Sequence, residues 1–302
     1  MSSGPINLPI IGAMPRAAAA AKLREIGEDE AAEALERAAP PPATMGAADW
    51  WPFSDKAWQH TAHAIGFLPA GGSGTQNIIG VGEAQADPSL KNARINVALN
   101  TLRVADYPGT GTHRILFDFY ARNQVPGASE DLHFNSAYRA REGERAAVRG
   151  YPIFVGLGVG ATGVAFHFHT VNVKNDEDEA FLNFLEGDAF KAGLKLATTV
   201  QPAIAPLSGM AVALTERIGQ RNRNVSVQDC YLGLDFAANA HGARLAVGDY
   251  VAVQIPEKLQ RVWDWQDLVY DPRAGLIVSR DDPNALIPYN YVVFGVSRYE
   301  GE

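Results

Sequence analysis

Ile115-Leu116-Phe117-Asp118-Phe119-Tyr120 decides how this chain is read. Successive side chains of a β-strand point to opposite faces, so Ile115, Phe117 and Phe119 share one side and Leu116, Asp118 and Tyr120 the other. One face is core. Upstream, Ile95, Val97 and Leu99 alternate with Arg94, Asn96 and Ala98, after which Leu102 and Val104 fall on the other parity. That shift predicts a β-bulge near Asn100-Thr101, because one extra residue flips every later side chain.

Further strands are predicted at about 148–157, 164–173, 225–236, 245–255, 259–270, 275–279 and 289–299, with turn signals such as Pro126-Gly127 and Pro272-Arg273-Ala274-Gly275 between them. Most are joined by short polar loops rather than crossover helices, which favours antiparallel pairing. The reading is a mainly β chain, an antiparallel β-sandwich or jelly-roll-like body spanning 75–302.

One segment breaks the pattern, a two-helix insert at about 177–219. Phe181, Phe184, Leu185, Ala189, Ala192 and Leu196 fit one amphipathic helix, and Leu207, Met210, Ala211, Leu214 and Ile218 a second. Pro202 and Pro206 separate them, giving an αα-hairpin over one face of the body. The acidic run Asn175-Asp176-Glu177-Asp178-Glu179 precedes the first helix, and Arg217, Arg221 and Arg223 close the second, as the helix dipole favours at each end.

Residues 1–70 read as a helical, aromatic-rich arm. Leu23, Ile26, Ala31, Ala34 and Leu35 repeat at helical spacing, in one helix or two broken at Gly27, and Pro40-Pro41-Pro42 forms a linker. A further helix is expected from Ser54 to Gly66. Trp50, Trp51, Phe53 and Trp58 are candidates for docking on a partner or on the body, since burying a large ring is worth ~1.5–3 kcal/mol.

A formal net charge of −8 provides no basic field for nucleic acid, and it argues against an anionic membrane surface unless a cation bridges the two. Cys230 is the single cysteine, so no intrachain disulfide forms, and no apolar run is long enough for a transmembrane helix. These features lead to the expectation of a cytoplasmic protein.

Few motifs carry chemistry. Gly158-Val159-Gly160-Ala161-Thr162-Gly163 matches G-x-G-x-x-G, but a strand rather than a helix follows it, so a hairpin turn is expected instead of a dinucleotide site. His167 and His169 alternate on a strand and project from one face, a permissive geometry for zinc once a third ligand joins them. His133, His60 with His63, Asp118 and Asp235 are the candidates. Asp176 and Asp178 are calcium candidates, completed by Asp281-Asp282 or by Asp264, Asp267 and Asp271, although no EF-hand pattern is present. Arg139, Arg141, Arg145 and Arg149 read as a solvated positive face. No nucleophile elbow, S-x-x-K or H-E-x-x-H occurs, and Cys230 reads as a buried inert thiol.

The expectation is a non-catalytic binding or assembly module that contacts another protein or a second copy of itself, without a cofactor. The alternative is a metal-dependent protein, either a calcium-responsive sandwich with a C2-like architecture or a hydrolase organised around His167 and His169.

Overall fold

The computed structural model describes residues 4–38, 56–72, 74–125, 127–146, 148–185, 193–196, 204–237 and 242–301. Its helices are α1 (Arg16–Glu25), α2 (Asp29–Arg37), α3 (Glu179–Leu185) and α4 (Ile204–Gln220). The strands are β1 (Ala62–Pro69), β2 (Gln76–Asn77), β3 (Ile79–Gly80), β4 (Arg94–Arg103), β5 (Thr112–Val125), β6 (Ala128–Arg141), β7 (Tyr151–Gly158), β8 (Gly163–Asn172), β9 (Leu194–Lys195), β10 (Val225–Asp235), β11 (Ala243–Arg244), β12 (Gly248–Ile255), β13 (Leu268–Asp271), β14 (Leu276–Ser279) and β15 (Tyr291–Arg298). The chain is mainly β.

The strands form a seven-stranded sheet in the order β3-β1-β12-β15-β4-β7-β9, a five-stranded sheet β11-β10-β8-β5-β6 and a three-stranded sheet β14-β13-β2. All pairs are antiparallel except β10 with β11 and β7 with β9. The two larger sheets face each other across an aromatic core. Phe119 lies 5.3 Å from Phe294 and 6.1 Å from Phe154 between ring centroids, and Phe166 lies 5.5 Å from Phe294. The three-stranded sheet covers the other side of the seven-stranded one, packing Tyr270 and Ile277 against Val251, Val253 and Val293.

The alternation in β5 places Ile115, Phe117 and Phe119 in the inter-sheet core, as expected. Its other face is buried as well. Leu116 and Val171 lie in a second cluster with Leu182, Leu185 and Ile218, contributed by α3 and α4. The bulge is also present: the β4–β15 register slips so that Thr101 opposes Val293 and Leu99 opposes Phe294, leaving Asn100 over.

Several local expectations are overturned. The helix expected from Ser54 to Gly66 is, over its described part, a short 3-10 turn at Ala57–Gln59 followed by β1, which pairs with β12 from Ala62↔Ile255 to Pro69↔Gly248. A strand partner remote in sequence supplies the ladder, so the described helices of the arm end at Arg37, with α1 and α2 broken at Gly27 in the left-handed region (φ +82°). The strand expected at 259–270 is 3-10 turns at Glu257–Leu259 and Trp265–Asp267, leading into β13. The first insert helix does not extend to Leu196. Leu194–Lys195 instead pair in parallel with β7, and Leu196 is buried in the main core, so a strand interrupts the expected αα-hairpin.

The glycine motif is not a hairpin either. β7 lies in the seven-stranded sheet and β8 in the five-stranded one, so Gly158 to Gly163 carries the chain between layers. Both ends require glycine because other backbone is in the way. A Cβ on Gly158 would lie 1.9 Å from the Gln124 carbonyl oxygen, and one on Gly163 1.9 Å from that of Leu234. Trp58 is buried against the main core of its own chain, whereas Trp50, Trp51 and Phe53 lie outside the described residues.

Candidate functional site on the outer face of the five-stranded sheet

The outer face of the five-stranded sheet changes character along its strands. At one end are Leu116, Ala137 and Val171, roofed by α3 and α4. In the middle the same alternation brings up Asp118 on β5, His133 and Asn135 on β6, His167 and His169 on β8 and Asp229 on β10. At the far end it brings up Tyr120, Arg122, Ala165, Tyr231 and Gly233, which border an open trough of about 590 Å³.

The middle layer is closed except at Asp229, whose side chain is 33 % exposed. Asp118, His167 and His169 have no exposed surface, and His133 has almost none. The N-terminal segment lies over it: His133 Nε2 donates to the Gly4 carbonyl at 3.2 Å, and Ile6, Leu8 and Ile10 are buried. His133 Nδ1 donates to the Asp118 carboxylate at 3.0 Å. Both ring nitrogens are thus engaged by oxygens. Asn135 ties the layer to α4 by donating to Thr215 Oγ1 at 2.6 Å.

His167 Nε2 hydrogen-bonds Asp229 Oδ1, and His169 Nδ1 lies 3.7 Å from the same oxygen, too long for a hydrogen bond. Burial alone would raise the Asp229 pKa. The hydrogen bond from His167 and the nearness of His169 outweigh it and hold the carboxyl well below the usual carboxylate range. His169 is left with neither ring nitrogen hydrogen-bonded.

The sequence candidates are only partly brought together. His167 and His169 share a face with Asp118 and His133, but the nearest carboxylate is Asp229, which sequence reading did not single out. A signal was present, an acid within the strand Val225–Asp235, on the parity opposite the apolar Cys230, Leu232 and Leu234. Cys230 itself is buried in the core, as expected, and burial raises its thiol pKa. His63 meets the edge of the core-facing Phe168, and burial pushes its imidazole pKa down to about 4 against the opposing charge of Asp229. His60 packs against Tyr289, and Asp235 pairs with Arg244 at 3.5 Å.

The acidic candidates belong to a different cluster. Asp176 accepts from Arg114 at 2.9 Å, and the buried Asp178 accepts from Asn224 at 2.7 Å and from Arg221 at 2.5 Å. The acidic start of the insert is therefore neutralised by Arg114 of β5 and by its basic end, where Arg221 reaches both Glu177 and Asp178. Asp264, Asp271 and Asp282 cap their own turns by accepting from the backbone N–H groups of Gln266, Arg273 and Asn284. Among the described residues no group of three or more His, Cys, Asp or Glu side chains has the arrangement of a metal site, and no helix is long and apolar enough to cross a membrane.

No protein-family model, curated protein or solved structure matches this chain.

The trough differs chemically from the closed layer beside it. Its floor is lined by small residues, Gly163 and Ala165 of β8 and Gly233 of β10. Tyr231 is 62 % exposed and stacks on His167 at 4.2 Å with 20° between ring planes, so the buried His167, held by Asp229, supports an exposed aromatic wall. Opposite, Asp131 accepts from the Tyr120 hydroxyl at 2.7 Å and from Arg122 at 3.0 Å, which fixes the second wall. Pro5 closes one end.

Proposed function

We propose that this chain is a β-sandwich binding module without catalytic activity, whose working surface is the trough and whose ligand is an extended segment of a partner protein. One observation carries the reading. The open trough has a small-residue floor and a rigidly supported tyrosine wall, and it continues the path on which the chain's own N-terminal segment already lies across the same sheet face. A surface that packs one extended segment through Ile6, Leu8 and Ile10 presents the same kind of seat beyond Pro5. Of the side chains suited to acid–base chemistry, Asp118, His133, His167 and His169 are meanwhile buried, and Asp118 is engaged with His133 and Asp229 with His167. The finer architecture, a two-layer sandwich, is supported by the ring contacts between the larger sheets.

Selection from a random peptide library, with affinities measured by fluorescence polarisation, tests this. Tyr231→Ala is expected to weaken a selected peptide by about 30-fold, the loss typical of an aromatic anchor, and Ala165→Arg to abolish binding, both with unchanged melting temperature. A library that yields no binder, or binding that survives both substitutions, overturns the proposal. So does a stable dimer that Ala165→Arg converts to monomer, because the occupant is then a second copy.

A second reading, a metal-dependent protein, draws support from His169, which is fully buried with neither ring nitrogen hydrogen-bonded among the described residues. His167, His169 and Asp229, which do not have the arrangement of a metal site as they stand, would have to reorient to become the ligands, and zinc is the ion suited to that donor set. On this reading zinc raises the melting temperature of the wild type but not of His169→Phe. Metal-free protein whose melting ignores zinc sinks it.

A further inference from the structure

The turn between β13 and β14 folds back against the seven-stranded sheet and leaves a crevice of about 270 Å³. Its walls are Asn100 at the β4 bulge, Arg145 and Arg149 before β7, Asp249 at the start of β12, Tyr270, and Arg273 in the turn. The guanidinium groups thus come from two chain segments remote in sequence. Among the described residues none of the three forms an ion pair. Elsewhere in the protein, Arg24, Arg37, Arg114, Arg122, Arg221, Arg244 and Arg298 all pair with carboxylates.

The contrast matters because acidic side chains outnumber basic ones, 34 to 26. On such a chain, three like charges gathered without a partner oppose one another and raise the local potential. A fourth adds to it. Arg103 is 4 % exposed, bridges the Arg145 backbone, and lines an adjoining hollow of about 390 Å³ that Arg145 also borders. Burial lowers its pKa, and neither Glu144 nor any other described carboxylate comes within ion-pairing distance.

Asp249 is the acid in the crevice wall, and among the described residues it forms no ion pair with the three arginines. It accepts from Asn100 Nδ2 at 2.9 Å, and burial raises its pKa with no arginine offsetting the shift. The Asn100 side-chain Oδ1 accepts from the Gly150 N–H at 3.2 Å, which holds the segment after Arg149 in place. Behind the arginines the Tyr270 hydroxyl is 3.1 Å from Thr101 Oγ1, and Arg145 and Arg149 together temper the rise that burial imposes on its pKa. The Arg145 stem packs on Gly275, which adopts φ +65° at the close approach.

We propose that this crevice binds a small phosphate-bearing ligand through Arg145, Arg149 and Arg273. The volume lies below the ~300 Å³ at which pockets for drug-sized ligands begin, so the ligand is orthophosphate or the monoester of a small organic group. Guanidinium groups arriving from separate segments suit the several oxygens and double charge of a phosphate monoester. A single carboxylate is satisfied by one bidentate arginine. The Arg139–Arg149 run is thus not uniformly a solvated face: Arg139 hydrogen-bonds Asn183, and Arg145 and Arg149 turn to the crevice. The site lies apart from the trough and does not depend on its occupant.

Isothermal titration calorimetry with inorganic phosphate and with glycerol phosphate, against chloride at matched ionic strength and against succinate, provides the test. Phosphate compounds are expected to bind saturably, and Arg149→Ala and Arg273→Ala, both at exposed positions, to weaken binding roughly tenfold or more each. Arg141→Ala, on the exposed run outside the crevice, is expected to leave affinity unchanged. Glycerol phosphate binding more tightly than orthophosphate assigns the ester, and the reverse assigns the free ion. Heats no larger than those of matched chloride, equal loss in Arg141→Ala, or tighter binding of succinate overturns the proposal.

Discussion

Phe119→Ala is expected to destabilise the protein by about 3–5 kcal/mol, the usual range for removing a fully buried phenylalanine. The ring has no exposed surface and touches both large sheets, with Phe117 and Phe166 on its own side and Phe154 and Phe294 opposite. Truncation removes the transfer energy of the ring and opens a cavity between two hydrogen-bonded layers that cannot close over it. Against a typical net stability of ~5–15 kcal/mol, such a loss is a large fraction of the total. Equilibrium urea denaturation measures it, with Phe119→Leu as the milder partner expected to lose clearly less. A loss under about 1 kcal/mol for the alanine variant contradicts face-to-face packing at this ring.

Alkaline unfolding between pH 10 and 12 is the second large effect expected. Burial pushes the Tyr107, Tyr120 and Tyr291 hydroxyls up to about 12, and raises Tyr138 and Tyr250 as well. A group whose folded pKa exceeds its unfolded value stabilises the fold fully below the unfolded pKa, near 10 for tyrosine, and this contribution is lost as pH rises through the folded pKa. Each such tyrosine removes up to ~1.4 kcal/mol per pH unit within that window, and they act together. Tyr107 illustrates why. Its hydroxyl is fully buried, and the hydrogen bonds to Thr170 at 3.0 Å and from Gln228 at 2.9 Å only temper the rise, because no water reaches a phenolate there. Far-ultraviolet circular dichroism and tyrosinate absorbance, followed on one sample, are expected to change in a single step. Tyrosinate appearing in full near pH 10 with the strands intact contradicts the burial of these hydroxyls.

Parts of the candidate site were legible in sequence. That His167 and His169 share a face follows from the two-residue repeat alone, and that this face also carries Asp118 and His133 was open as one arrangement among several. What the repeat cannot convey is which strands lie side by side. Asp229 reaches His167 because β10 pairs with β8 at the register Tyr231↔His167, a contact between residues far apart in sequence. The arginine crevice was illegible for the same reason: nothing local to Arg145 and Arg149 indicates that the turn carrying Arg273 folds against them.

By itself the sequence determined the features that depend on neighbouring residues: the alternation of β5, the bulge at Asn100, the helix break at Gly27, and an insert that is acidic at its start and basic at its end. Tertiary structure decided the rest. It made β1 a strand by supplying β12 as a partner, placed β7 and β8 in different layers although only a glycine-rich turn separates them, and covered both faces of the five-stranded sheet. Local periodicity records which side chains share a face, because that depends only on backbone repeat. What a face meets depends on hydrogen-bonding groups and apolar surface contributed from elsewhere in the chain.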